Sequence, residues 1–203
     1  MAEMIDAESK QDSLRTRRVG SSDRRVLKTR RRLIDAFRRL VDADEIRTAG
    51  VATIVREAGT TRSSFYAHFS GIGDLAATAL SDFSESVIAD ARSAILDGAS
   101  KTVVNRQVLL DIVRFVADHR TTYGVLLVSD PAFAEGFAAG LTESVLVTLR
   151  TRETLAADPE VTARYIAAGT LAAISWWLAD GAERTAEELA DALIAIAPPD
   201  FRD

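Results

Sequence analysis

The chain has 203 residues, 47% of them apolar, and carries 25 Lys and Arg against 30 Asp and Glu, for a net charge of -5. That is length enough for one or two domains with a buried core. With no cysteine, disulfides, thiol nucleophiles and cysteine-ligated zinc are excluded, and the absence of a long uncharged apolar run or a signal-like N-terminus makes the cytoplasm the expected compartment.

The net charge hides a split. Residues 1–75 hold 15 basic against 11 acidic side chains, whereas residues 76–203 hold 10 against 19. Residues 9–32 alone contain 10 basic residues, with Asp12 and Asp23 as the only acids. A basic front followed by an acidic body suits a polyanion bound at one end of the molecule.

Residues 1–22 are polar and aperiodic and end in Gly20, Ser21 and Ser22, which reads as a basic, flexible arm. A first helix is expected over 23–44, because Leu33, Ile34, Phe37, Leu40 and Val41 fall on one stripe at helical spacing. Arg24 and Arg25 occupy its first turn, where cations oppose the helix dipole, so a phosphate partner explains them better than helix stability does.

Residues Val51 to Phe69, VATIVREAGTTRSSFYAHF, read as two short helices joined by a tight turn. Val51, Ile54, Val55 and Ala58 share a face of the first, and Gly59 ends it as the residue that takes the left-handed conformation without steric cost. Thr61 is placed to cap the second, and Phe65 and Phe69, four apart, give that helix its buried side. Arg62, Ser63, Tyr66 and Ala67 then face outward.

The run EAGTTRSSFYAHF, followed by Asp74 and Leu75, resembles the helix-turn-helix signature of the TetR family of transcriptional regulators. The resemblance covers roughly residues 24–80. It departs from the family pattern at Gly50, where a Thr or Ser cap is usual, and at Ile72, where a phosphate-binding Lys is usual. It implies double-stranded DNA as partner, with Tyr66 and His68 at family positions that bind backbone phosphate. The N-terminal end of a recognition helix reaches the major groove, so Arg62, with Ser63 and Ser64 beside it, is the leading base reader. Thr61 and Thr48 are candidates for further phosphate hydrogen bonds. With no lysine at position 72, the arm is expected to supply the missing grip from the minor groove.

Beyond this motif, helices are expected over 72–96, 104–118, 121–128, 132–152, 159–180 and 186–197, with Asp130-Pro131 and Asp158-Pro159 as starts and Gly181 as a stop. No alternating strand pattern appears. The expected fold is all-α: a three-helix helix-turn-helix domain over 23–71, then a helical ligand-binding and dimerisation domain over 72–203. Tyr165, Ala168, Gly169, Ala172, Ala173 and Trp176 lie along one side of the penultimate helix, and Leu189, Leu193 and Ile196 form a stripe on the last. Two such helices per subunit suit a four-helix homodimer interface resembling that of the family, although closing the monomer core explains them too.

A small-molecule effector is the family's usual input, and Phe115, His119, Tyr123, Phe133, Phe137, Trp176 and Trp177 are the candidates to line its pocket, with core packing the competing reading. No cofactor or metal is expected. Gly71-Ile72-Gly73-Asp74-Leu75-Ala76 nominally fits a dinucleotide fingerprint, but no strand precedes it, and His68 and His119, the only histidines, are not spaced as ligands. The sequence thus points to a DNA-binding regulator, a repressor released by an effector. A regulator without small-molecule input is the alternative, and an all-α enzyme the remote one.

Overall fold

A computed structural model describes residues 24–46, 49–152, 154–179 and 183–203, and these form an all-α protein without a strand among them. The expected arm over 1–22, Thr48 and the expected stop at Gly181 lie outside the described residues. The helices are α1 (24–42), α2 (Val51–Glu57), α3 (Arg62–Tyr66), α4 (Ile72–Leu96), α5 (Lys101–Asp118), α6 (Val125–Ser129), α7 (Pro131–Arg150), α8 (Pro159–Ala179) and α9 (Ala186–Ile196). A π-helical turn, Arg120–Gly124, joins α5 to α6, and a 3-10 turn, Pro199–Phe201, follows α9.

Most helix starts have a side-chain cap that satisfies amides left free by the first turn. Asp130 accepts from the Phe133 amide with Pro131 in the first turn, and Asp158 accepts from the Val161 amide at 2.9 Å. Thr185 and Glu188 form a reciprocal capping box on α9. α5 begins three residues earlier than the expected 104 because Ser100 caps it, accepting from Val103. The helix expected over 121–128 is instead the π-helical turn and the five-residue α6; the turn carries Thr122 and Tyr123 into the core.

α4 and α7 lie together at the centre, with α8 against α7 and α9 against α5. Their approach is close because of two glycines on α7. A Cβ at Gly136 would stand 2.9 Å from the Ala77 Cβ, and one at Gly140 would stand 2.2 Å from the Ser81 hydroxyl. α7 is long and apolar enough by composition to cross a membrane, but here its Phe133, Phe137, Leu141 and Val145 are buried in the bundle.

One apolar cluster runs from α1 through α2, α3 and α4 into α5, α7, α8 and α9, from Leu33 to Leu193. α1 is tied to α4 where Arg38 donates to the Ala79 carbonyl at 3.0 Å. The turn that follows α1 is tied to the π-helical turn, where the Thr121 hydroxyl donates to Asp44 at 2.8 Å. The expected faces of α8 and α9 divide. Tyr165, Ala168, Gly169, Ala172 and Trp176 are exposed along α8, with Ala173 half-buried, while on α9 Leu189 and Leu193 are buried and Ile196 is exposed. Two of the three residues of the α9 stripe therefore close the monomer core.

Candidate nucleic-acid interface

The two-helix unit forms where its spacing places it. Ile54 and Val55 of α2 are buried, Ala58 follows as the C-cap residue, and Gly59 turns the chain at φ +57. α1 clamps this turn: Arg32 donates to the Gly59 carbonyl at 3.1 Å, and Arg39 pairs with Glu57 at 2.9 Å. Thr61 caps α3, its hydroxyl accepting from the Ser64 amide at 3.2 Å. Phe65 and Phe69 anchor the unit with their rings 5.9 Å apart, and Arg30 of α1 lies over the Phe69 ring at 5.5 Å.

Burying Phe65 and Phe69 turns the opposite side of α3 to solvent. Arg62, Ser63, Tyr66 and Ala67 are exposed, and Ser64 and His68 are half-buried. Thr61, Arg62, Ser63, Ser64, Tyr66 and His68 are thus brought together on one short surface helix and its exit. Three hydroxyls are already engaged inside it, since Thr61 Oγ1 lies 2.9 Å from Ser63 Oγ and 3.0 Å from Ser64 Oγ. Arg24 and Arg25 are exposed at the start of α1, about 9 Å along the helix from the Arg30 that covers Phe69. Ile72, at the family's lysine position, is half-buried and packed against the core.

α4 begins where Asp74 reaches back to accept from the Ser70 amide at 2.8 Å and the Ser70 hydroxyl at 3.1 Å. The acid also complements the positive end of the helix dipole. This exit fixes the direction in which the unit leaves for the body of the protein.

The seven aromatic and histidine candidates for an effector pocket do not line one enclosed cavity. Phe115, His119, Tyr123, Phe133 and Phe137 stack as a column: Phe115 to His119 at 4.6 Å, Phe115 to Tyr123 at 5.7 Å, Tyr123 to Phe133 at 5.9 Å and Phe133 to Phe137 at 6.2 Å. Phe37 of α1 meets Tyr123 at 6.5 Å, so the column ties the front of the molecule to its body. Burial drives the Tyr123 phenol well above its ordinary range. His119 Nδ1 lies 2.8 Å from the Phe115 carbonyl, and Nε2 lies 3.4 Å from Asp42. Trp177 donates its indole N–H to the Arg184 carbonyl, and Trp176 is exposed under the Arg184 guanidinium.

A cavity of about 110 Å³ lies elsewhere, between α4, α5, α7, α8 and α9. Its walls are largely aliphatic, including Ile88, Val108, Ile112, Leu141 and Ile166, with Arg92, Asn105, Thr148 and Thr170 as polar members. The aromatic rings carry the most area to bury and occupy the centre, which leaves the void to branched aliphatic side chains. Tyr165 and Phe201 are its aromatic members, and none of the seven expected pocket residues lines it.

No family model and no curated protein matches the sequence. Solved structures match the fold. FadR from Thermus thermophilus, a TetR-family transcriptional repressor in complex with lauroyl-CoA, aligns with a TM-score of 0.66 at 17% identity, over 83% of this chain and 92% of that one. RolR in complex with resorcinol aligns with a TM-score of 0.60 at 20% identity, over 86% and 90%. The multidrug binding protein EbrR complexed with imidazole aligns with a TM-score of 0.51 at 23% identity, over 83% and 94%. The chain has the all-helical fold of the TetR-family transcriptional regulators.

Proposed function

We propose that the protein is a sequence-specific, double-stranded DNA-binding transcriptional regulator that acts as a homodimer and as a repressor released by a small-molecule effector. Residues 23–71 form the DNA reader, with residues 1–22 as an arm adding phosphate contacts, and residues 72–203 form the effector and dimerisation part. The observation that carries this reading is α3, a capped surface helix with Phe65 fully buried and Arg62, Ser63 and Tyr66 turned outward. Arg62 contacts base edges, while Thr61, Tyr66, His68, Arg24, Arg25 and Thr48 grip phosphate.

The aliphatic cavity between α4 and α9 is the effector site in this reading, in place of the stacked aromatic column. Fold neighbours bound to resorcinol and to lauroyl-CoA support a small-molecule input. Two recognition helices in a symmetric dimer require half-sites about one helical turn, or a multiple, apart. Selection of genomic promoter fragments by the purified protein, followed by gel retardation of the enriched fragments, tests it. Enrichment of a two-half-site sequence is expected, and failure to prefer any fragment over random DNA would overturn the reading.

A further inference from the structure

The cavity differs from a general apolar pocket in that its one charged side chain, with Asn105 and Thr148, is already partnered, while the Tyr165 and Thr170 hydroxyls also belong to its lining. Arg92 pairs with Glu85 at 2.7 Å and reaches Thr148 Oγ1 at 3.4 Å. Thr148 donates its own proton to the Ser144 carbonyl at 3.0 Å, and the Asn105 amide donates to the Phe201 carbonyl at 2.9 Å. Among the described residues, the buried side-chain atoms without a hydrogen-bond partner are Ser84 Oγ and Arg202 Nε, and neither residue lines the cavity.

A ligand in this space therefore meets no unbalanced charge, and the hydroxyls of Tyr165 and Thr170 are the neutral polar groups left to it. The Arg92 guanidinium is neutralised by Glu85. A carboxylate entering beside it would lose its hydration and compete with Glu85 for the same cation, with only neutral polar groups elsewhere in the wall to offset that loss. A neutral molecule gives up little water and covers aliphatic wall. The size is also bounded: about 110 Å³ is of the order of the roughly 150 Å³ void that accepts one benzene molecule. The exposed members of the lining, Tyr165, Gly169 and Ile196, place the opening between α8 and the end of α9.

We propose that this cavity selects a neutral, largely hydrocarbon molecule of about one ring or a chain of about six carbons, and discriminates against the matching carboxylates through the Glu85–Arg92 pair. One hydroxyl or carbonyl on the ligand is accommodated at the Thr170 hydroxyl, which belongs to the lining. The inference rests on the cavity being the effector site only for its regulatory consequence; the chemistry of binding stands apart from it.

Thermal unfolding of the full-length protein, titrated with benzyl alcohol against benzoate and with 1-hexanol against hexanoate, separates head-group charge from size. The neutral members are expected to raise Tm saturably, with midpoints roughly tenfold or more below those of the carboxylates. Glu85→Gln unmasks the Arg92 charge and is expected to shrink or reverse that ratio. Val108→Phe fills the void and should abolish the saturable shift, with Gly169→Leu as the second filler should the first not fold; an added Cβ at Gly169 meets nothing within 4 Å. Equal or tighter carboxylate binding by the unaltered protein, no saturable shift with any probe, or full binding by a folded filled variant would each overturn the proposal. Gel retardation in parallel keeps the two readings apart: a neutral probe that binds without releasing DNA removes the effector role and leaves the ligand class standing.

Discussion

Arg62 stands one residue after the Thr61 cap, exposed on the side of α3 opposite Phe65. A guanidinium there offers the bidentate geometry that reads guanine in the major groove. Arg62→Ala is expected to cost about 1–3 kcal/mol on the selected site and much less on random DNA, as measured by gel-shift titration on both. Equal losses would make Arg62 a phosphate contact. Glu85 offers a test of different kind. Burial raises its carboxyl, but hydrogen bonds from Ser144 and Arg92, with the Arg92 charge, outweigh burial and hold it below its ordinary 4.5. A depressed carboxylate contributes stability that is fully present above pH 4.5 and lost as pH falls through the folded value. Glu85→Gln removes that titration, so unfolding scans at descending pH should show a shallower loss of Tm for the variant below pH 4.5. Parallel acid profiles for the two proteins would show that the ion pair contributes nothing to folding, as many partly exposed pairs do.

At the scale of elements, α4 connects the helix-turn-helix to the body, and its path is set by how closely α7 approaches. Gly136 faces Ala77 and Gly140 faces Ser81, each pair advancing by one helical turn, and there is no room for a side chain at Gly140. Gly140→Val must push the helices apart or shift Ser81, at a cost of about 1–3 kcal/mol. Chemical denaturation should show that loss, and, with residues 23–71 as the proposed DNA reader joined to the start of α4, retardation on operators of altered half-site spacing should show a changed preference. A stable variant with unaltered spacing preference would detach α4 from α7 in setting the reader's position. This contact was not legible in the sequence, whereas the caps at Thr61, Asp130 and Asp158 and the turn at Gly59 were. A cap is decided within four residues. The glycine pairs join positions about sixty residues apart, and nothing local distinguishes them. The same divide separates the stripe of α1, read correctly from its spacing, from that of α9. Periodicity identifies an apolar side but not its partner, and Leu189 and Leu193 turned out to face α5 and the core. The cavity was hidden for a related reason, being assembled mostly from aliphatic residues of five helices distant in sequence, while the aromatic residues of the column pack against one another.

For the molecule as a whole, the exposed side of α8 and the end of α9 bring two proposals onto one surface. Val161, Tyr165 and Trp176 are 66%, 59% and 47% exposed, and Ile196 is 68% exposed, with Ala168, Gly169 and Ala172 between them small enough for another helix to lie close. Four large apolar side chains gathered in this way are the composition of an interface rather than of a solvated face. Tyr165, Gly169 and Ile196 also frame the opening of the aliphatic cavity. A second copy docked on this surface would cover that opening, and dimerisation and ligand retention would then be coupled, each strengthening the other by the same factor. Trp176 is the residue that separates these effects, because it lies on the exposed side without lining the cavity. Trp176→Glu places a charge in the interface and is expected to shift sedimentation from dimer to monomer, and to weaken binding to a two-half-site operator much more than to a single half-site. Benzyl alcohol should dissociate faster from the monomeric variant and bind it more weakly, although no residue of its cavity has changed. A monomeric variant with unaltered benzyl alcohol affinity would show that the second copy does not close the cavity, and a variant that remains dimeric would move the interface away from this side of α8.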